Sequence, residues 1–208
     1  MWNKVVCRKK MPLLWVVSGP SGSGKTTLCM KLSRKKSLGI ARSISFTTRA
    51  IKKGEKNHRD YVFISQEEFV KKIKKGELLE WQKVFGNFYG TSRKFVEEAF
   101  RKNKDVLLCI DVKGALEIKK NFAKRAVFVF IVAPSEKELI QRTKMRAREN
   151  KEEMRKRLAF AKTELSYAGK YDYIIVNDVL GEAVKNLEAI IVARRMKNVL
   201  RATGKTNR

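Results

Sequence analysis

Acidic side chains are scarce in this sequence: 21 Asp and Glu stand against 48 Lys and Arg, a formal net charge of +27 over 208 residues. Such an excess invites a nucleic-acid partner. The basic residues, however, are scattered in pairs (Lys35-Lys36, Lys52-Lys53, Lys71-Lys72, Lys74-Lys75, Lys119-Lys120) rather than gathered in one arm. That pattern fits non-specific attraction to polyanions, with anionic substrates benefiting, better than a dedicated nucleic-acid interface. Cysteine and histidine are rare as well. Cys7, Cys29 and Cys109 form no C-x-x-C pair, and His58 is the single histidine. Zinc therefore lacks a ligand set, and a reducing, cytoplasmic setting is expected. Long hydrophobic runs are missing too: no stretch approaches the ~20 apolar residues of a membrane span. Lys4, Arg8, Lys9 and Lys10 imitate the start of a secretory signal, but the apolar run behind them is only about five residues long. Residues 1–10 read as a disordered basic extension.

What is present begins with Gly19-Pro20-Ser21-Gly22-Ser23-Gly24-Lys25-Thr26, followed by Thr27. The spacing is G-x-x-x-x-G-K-[ST], a loop that cradles nucleotide phosphates. Glycines let successive backbone N–H groups converge on one anion. Lys25 adds a fixed positive charge, Thr26 offers a hydroxyl to Mg²⁺, and the following helix points its positive end at the same place. The apolar run at 13–17 and the helical pattern from Thr27 to Leu32 supply the strand–loop–helix order that the motif requires.

Apolar runs at 13–17, 106–110, 127–132 and 173–176 read as strands of a buried parallel sheet, and the helical patterns between them predict a three-layer α/β sandwich. Capping boxes start helices at Ser65 with Glu68 and at Ser135 with Glu138. A last helix, over 181–199, carries Ala183, Val184, Leu187, Ile190 and Ile191 on one core-facing stripe. Residues 45–92 break the rhythm and read as short strands around one helix, an inserted subdomain for a second substrate. Residues 138–157 read as a charged helical segment bearing Arg142, Arg146, Arg148, Arg155 and Arg157. On the residues alone it is either a solvated surface helix or a lid.

Four blocks together resemble the guanylate kinases, over residues 13–193. They are the phosphate loop; Ser43-Ile-Ser45-Phe-Thr47-Thr48-Arg49 with Gly54-Glu55 and Asp60-Tyr61-Val-Phe63; Leu79-Glu80-Trp81 with Gly86-Asn87-Phe-Tyr89-Gly90-Thr91-Ser92; and the arginine-bearing segment with Tyr171-Asp172-Tyr173 and Val176-Asn177-Asp178. The resemblance implies a P-loop core (11–44, 93–137 and 158–208), a GMP-binding subdomain (45–92) and a lid (138–157). It implies ATP and GMP as substrates, Mg²⁺ accompanying ATP, and a monomer or homodimer. By resemblance, Glu80 reads the guanine N1–H and N2–H₂ edge, with Ser45 and Thr91 completing the base site. Arg49, Lys52, Tyr61 and Tyr89 face the GMP phosphate. Lys25, Arg142, Arg146 and Arg157 stabilise charge on the transferred group, Asn177 lies on the adenosine side, and Thr26 and Asp111 hold the metal, Asp111 through water.

The sequence departs from the family pattern at four places. Lys52 replaces a phosphate-binding arginine and loses its bidentate fork. His58 stands where a glycine precedes x-Asp-Tyr, Cys109 replaces the first Asp of Asp-Ile-Asp, and Ala147 replaces a glycine after the lid arginine. Three other functions are compatible with parts of this pattern: a guanylate-kinase-like domain that has lost catalysis and binds a protein, a polyanion-binding protein, and a kinase of a phosphorylated sugar, which would have no use for Glu80.

Overall fold

The computed structural model describes residues 11–146 and 151–201, without the side chains of 145–146, 151–154 and 197–201. In chain order the strands are β1 Leu14–Ser18, β2 Ile40–Arg42, β3 Phe46–Thr47, β4 Val62–Phe63, β5 Leu78–Val84, β6 Asn87–Ser92, β7 Asp105–Cys109, β8 Ala126–Val132 and β9 Tyr173–Val176. The helices are α1 Lys25–Ser33, α2 Gln66–Lys74, α3 Arg93–Arg101, α4 Val112–Phe122, α5 Glu136–Arg146, α6 Lys151–Leu165 and α7 Leu180–Arg201. The four core strands expected from the sequence are β1, β7, β8 and β9. They lie side by side with β2 at one edge, in the order β2-β7-β1-β8-β9, every pair parallel.

Parallel strands need crossover connections, and here helices provide them on both faces. One core layer joins Trp15, Val17, Leu107, Val129 and Ile131 to Leu28 and Leu32 of α1 and to Ala183, Val184, Leu187 and Ile191 of α7. The other joins Val16, Val106, Leu108 and Phe128 to Val96 and Ala99 of α3 and to Ala115 and Ile118 of α4. The stripe read along α7 is therefore core, with Ile190 partly buried against it. Strand β2 escaped the sequence reading because Ile-Ala-Arg is three residues long and half-buried, too short for a periodic pattern.

Residues 45–92 build a second sheet, β4-β3-β6-β5, which is mixed, with α2 alongside. Ser65 starts α2 with a complete capping box: its hydroxyl accepts from Glu68 N–H at 3.1 Å, and the Glu68 carboxylate accepts from Ser65 N–H at 3.1 Å. At Ser135 the hydroxyl accepts from Glu138 N–H at 3.1 Å, while the Glu138 carboxylate takes Arg142 instead. Where it is described, the charged segment read over 138–157 is helical, falling in α5 and α6. Residues 1–10, Ala147 and Arg148 lie outside the described residues.

Candidate active site

The site grows out of the turn between β1 and α1. Burial on both faces drives β1 through the centre of the core, and the chain leaves it as a loop bent around Ser23 N–H, which donates to Pro20 O at 3.1 Å. Gly24 is the N-cap of α1 with φ 85°, and a Cβ there would stand 2.2 Å from Asn177 Nδ2. Only glycine meets both demands. Lys25 folds back so that Nζ donates to Pro20 O at 3.4 Å. α1 has no side-chain cap, so its first N–H groups remain available to an anion at the loop.

Asn177 follows β9 and is 4% exposed. Its Nδ2 donates to Ser23 O at 2.8 Å, bracing the loop from beneath. Its own carbonyl accepts from Arg142 Nη1 at 2.9 Å, while Arg142 Nε donates to Glu138 at 2.8 Å. One chain of contacts thus runs from α5 through Asn177 to the phosphate loop. Thr143 adds a second brace, donating to Ser21 O at 3.3 Å. Arg146 ends α5, and its side chain lies outside the described residues.

On the opposite side of the cleft, Glu80 is 5% exposed and accepts from Thr91 Oγ1 at 2.6 Å across the β5–β6 pair. The nearby Lys83 ammonium lies instead over the Phe88 ring, 5.3 Å from its centroid. The Glu80 carboxyl faces α4, where a Cβ on Gly114 would stand 2.6 Å from Oε2. Burial pushes its pKa up to about 7; the bond from Thr91 opposes the rise and the charge of Asp111 adds to it. Asp111 caps α4 by accepting from Gly114 N–H at 2.7 Å, and burial raises its pKa as well. Glu80 and Asp111 therefore both lie against Gly114 at the start of α4, and the charge of Lys25 lowers the pKa of Asp111.

Arg49 leaves β3 and meets Glu55 through two bonds of 2.9 and 2.8 Å, with its guanidinium 5.1 Å from the Tyr61 ring and 5.5 Å from Phe63. Burial alone would raise the Glu55 carboxyl, but Arg49 outweighs it and the pKa falls. Lys52 N–H donates to the same carboxylate at 2.8 Å. Tyr61 packs edge-on against Tyr89 at 5.9 Å, and burial pushes its pKa up to about 12. Ser45 is half-buried at the start of this sheet, its carbonyl accepting from Val62 N–H at 2.9 Å. Two clusters thus form: a phosphate cradle on the core, and a patch on the second sheet joining Arg49, Lys52, Glu55, Tyr61 and Tyr89.

The family model described as Guanylate kinase matches residues 11–194. The guanylate kinase of Caldanaerobacter subterraneus subsp. tengcongensis is 43% identical over 189 residues, 91% of each chain. That of Desulfitobacterium hafniense is 44% identical over 185 residues, 89% of this chain and 92% of the relative. The crystal structure of guanylate kinase from Anaplasma phagocytophilum superposes with a TM-score of 0.78 at 37% identity, covering 92% of this chain and 90% of the other. The chain belongs to the guanylate kinase family.

Two departures from the family pattern have structural consequences. His58 has φ 60°, the left-handed conformation that glycine adopts without strain. Cys109 puts a thiol where the pattern has a carboxylate, and that thiol donates to Thr26 Oγ1 at 3.9 Å. Its other neighbour is Cys29 of α1, whose hydrogen bond is the largest influence lowering the Cys109 pKa. Sequence reasoning missed two acidic residues. Glu55 stands inside a motif with no role of its own in the sequence, yet it holds Arg49 through two hydrogen bonds. Glu164, on α6, is 5% exposed; burial pushes its pKa up to about 7 against the opposing charge of Lys25. Position on the chain gave no sign of it, because a glutamate in a charged helix looks like surface.

Proposed function

We propose that this guanylate kinase family member transfers the γ-phosphoryl group of ATP to GMP, giving ADP and GDP, in a cytoplasmic setting. The observation that carries the reading is Glu80: a buried carboxyl, fixed by Thr91, opening toward the end of the sheet where the phosphate loop lies. Guanine presents two adjacent donors to such a carboxylate, whereas adenine presents an acceptor at N1 and no amino group at C2. Lys25 and the α1 terminus receive the ATP phosphates. Arg49, Lys52, Tyr61 and Tyr89 receive the GMP phosphate, with Glu55 releasing Arg49 in exchange for the incoming dianion. Residues 45–92 deliver the acceptor, and residues 138–157 bring Arg142, Arg146 and Arg157 to the transferred group, while Asn177 keeps the loop in shape. In-line transfer then needs positioning and charge neutralisation, without a covalent intermediate, in a cleft that excludes water.

Mg²⁺ fits the donors present. Thr26 and Asp111 offer hard oxygen ligands, and Asp111 is a partly buried carboxyl held in place by the Gly114 N–H. No group of three or more acidic, cysteine or histidine residues able to hold a metal exists among the described residues. When bound, Mg²⁺ neutralises charge on the β- and γ-phosphates. Among the described residues no helix is long and apolar enough to cross a membrane.

A coupled assay of ADP formation with GMP, AMP, CMP and UMP tests the reading. Turnover with GMP at least about 10⁴-fold more efficient than with AMP is expected of a site built around a polar partner. Equal turnover with AMP, or ADP release independent of any acceptor, overturns it.

A further inference from the structure

The turn between β5 and β6 breaks a local rule. Val84 pairs with Asn87, so Phe85 and Gly86 form a two-residue turn with φ values of 47° and 80°. Turns with two positive φ angles favour Asn-Gly, because asparagine tolerates the left-handed region and bulky side chains do not. Phe85 occupies the asparagine position, and its ring does not compensate by entering the core, since the residue is 46% exposed. Strain of this kind persists where surrounding structure has a use for it.

What the ring touches lies on another element. Phe160 of α6 meets it edge-on, centroids 5.3 Å apart at 65°, and the Arg157 guanidinium lies 5.4 Å from the Phe85 centroid. Residues 157 and 160 are three apart and share one face of the helix. The tip of the hairpin that carries Glu80 and Thr91 is thus seated on the helix that carries Arg157.

We propose that Phe85 is a positioning residue for Arg157: the hairpin tip docks on α6 through Phe160 and orients the guanidinium by cation–π contact. This rests on the phosphotransfer reading above. A free arginine samples many rotamers, and fixing it in advance removes that cost from the reaction step. Because the tip belongs to the acceptor subdomain, the hairpin that carries Glu80 also holds Arg157.

The test is Phe85→Asn, which improves the turn while removing the ring. Expected are a melting temperature equal to or above that of the wild type, a kcat lower by about tenfold, and a KM for ATP within about twofold of the original. Phe85→Tyr keeps the ring and restores kcat. In an Arg157→Lys background the loss from Phe85→Asn shrinks below about twofold, because both changes act through one group. Wild-type kcat in Phe85→Asn overturns the proposal. So does a kcat loss accompanied by a fall in melting temperature, or an undiminished loss in the double variant, either of which makes Phe85 a structural residue. Amide exchange reads docking without reference to activity: residues around 157–160 exchange faster in Phe85→Asn, and unchanged exchange rules the contact out. A wild-type protein inactive with GMP refutes the phosphotransfer reading alone, and exchange still decides the docking.

Discussion

Glu80 combines two properties that oppose each other in the empty protein. Its carboxyl is buried, so the charged form is disfavoured, yet its proposed partner requires that form. The folded-state pKa of about 7 lies above the ordinary 4.5, so the folded protein retains the proton longer than the unfolded chain. The resulting stability is fully present below about pH 4.5 and is lost as pH rises through 7, a swing of roughly 3 kcal/mol. Glu80→Gln removes this titration. Its melting temperature relative to the wild type should therefore rise between pH 5 and pH 8, and an unchanging difference would contradict the assignment. With GMP the variant should lose activity by about 10²-fold or more and discriminate less against AMP, since an amide puts a donor where an acceptor is needed. His58 is a simpler case. A left-handed non-glycine residue costs about 1–2 kcal/mol, and glycine returns part of the gain as chain entropy. His58→Gly should raise stability by about 0.5–1 kcal/mol, seen as a higher urea midpoint at unchanged slope. No gain would mean that the contacts of the imidazole offset the backbone strain.

Elements were legible where burial imposes a pattern. Strands β1, β7, β8 and β9 are apolar runs because helices cover both their faces, and α2 announced itself through Ser65 and Glu68. Strand β2 was silent, because three half-buried residues carry no periodic signal. The phosphate loop was readable because its spacing is dictated by phosphate chemistry. Glu164 and Phe85 were not, since their meaning lies in partners distant in the chain. Asp105 is another such residue. At the start of β7 it is 3% exposed, accepting from Leu13 N–H at 3.0 Å, Trp15 Nε1 at 3.0 Å and Arg195 Nε at 2.9 Å. Arg195 also donates to Leu38 O at 2.7 Å, so one carboxylate ties β1, β7 and α7 together at the sheet end away from the phosphate loop. Asp105→Ala leaves a guanidinium and two N–H donors without their acceptor, at a cost of about 3–5 kcal/mol. For a chain of this size a fall in melting temperature of roughly 6–15 °C is expected by calorimetry. A fall under about 2 °C would show that water replaces the carboxylate.

Across the whole molecule, 27 uncompensated positive charges act on stability and on encounter. Ion pairs among the described residues are mostly surface pairs, such as Lys120 with Glu117 and Lys162 with Glu136, which contribute about 0–1 kcal/mol each. They do not offset the mutual repulsion of the remaining lysines and arginines. That repulsion is long-ranged at low salt and fades once the Debye length falls to about 10 Å, near 0.1 M. Raising KCl should therefore raise the melting temperature, against the usual direction for a protein held by surface ion pairs. The same field draws anionic nucleotides toward the cleft, so kcat/KM for ATP and GMP should fall with salt, by roughly tenfold or more, while kcat changes much less. A nucleic acid should compete at low salt and lose its hold steeply as salt rises, because its attraction comes from counterion release. Measuring all three over one KCl series separates the possibilities. Parallel salt dependence of nucleotide capture and polyanion competition means that the charge is a general field. Competition that survives at high salt, with nucleotide capture already weakened, would instead require a dedicated polyanion site.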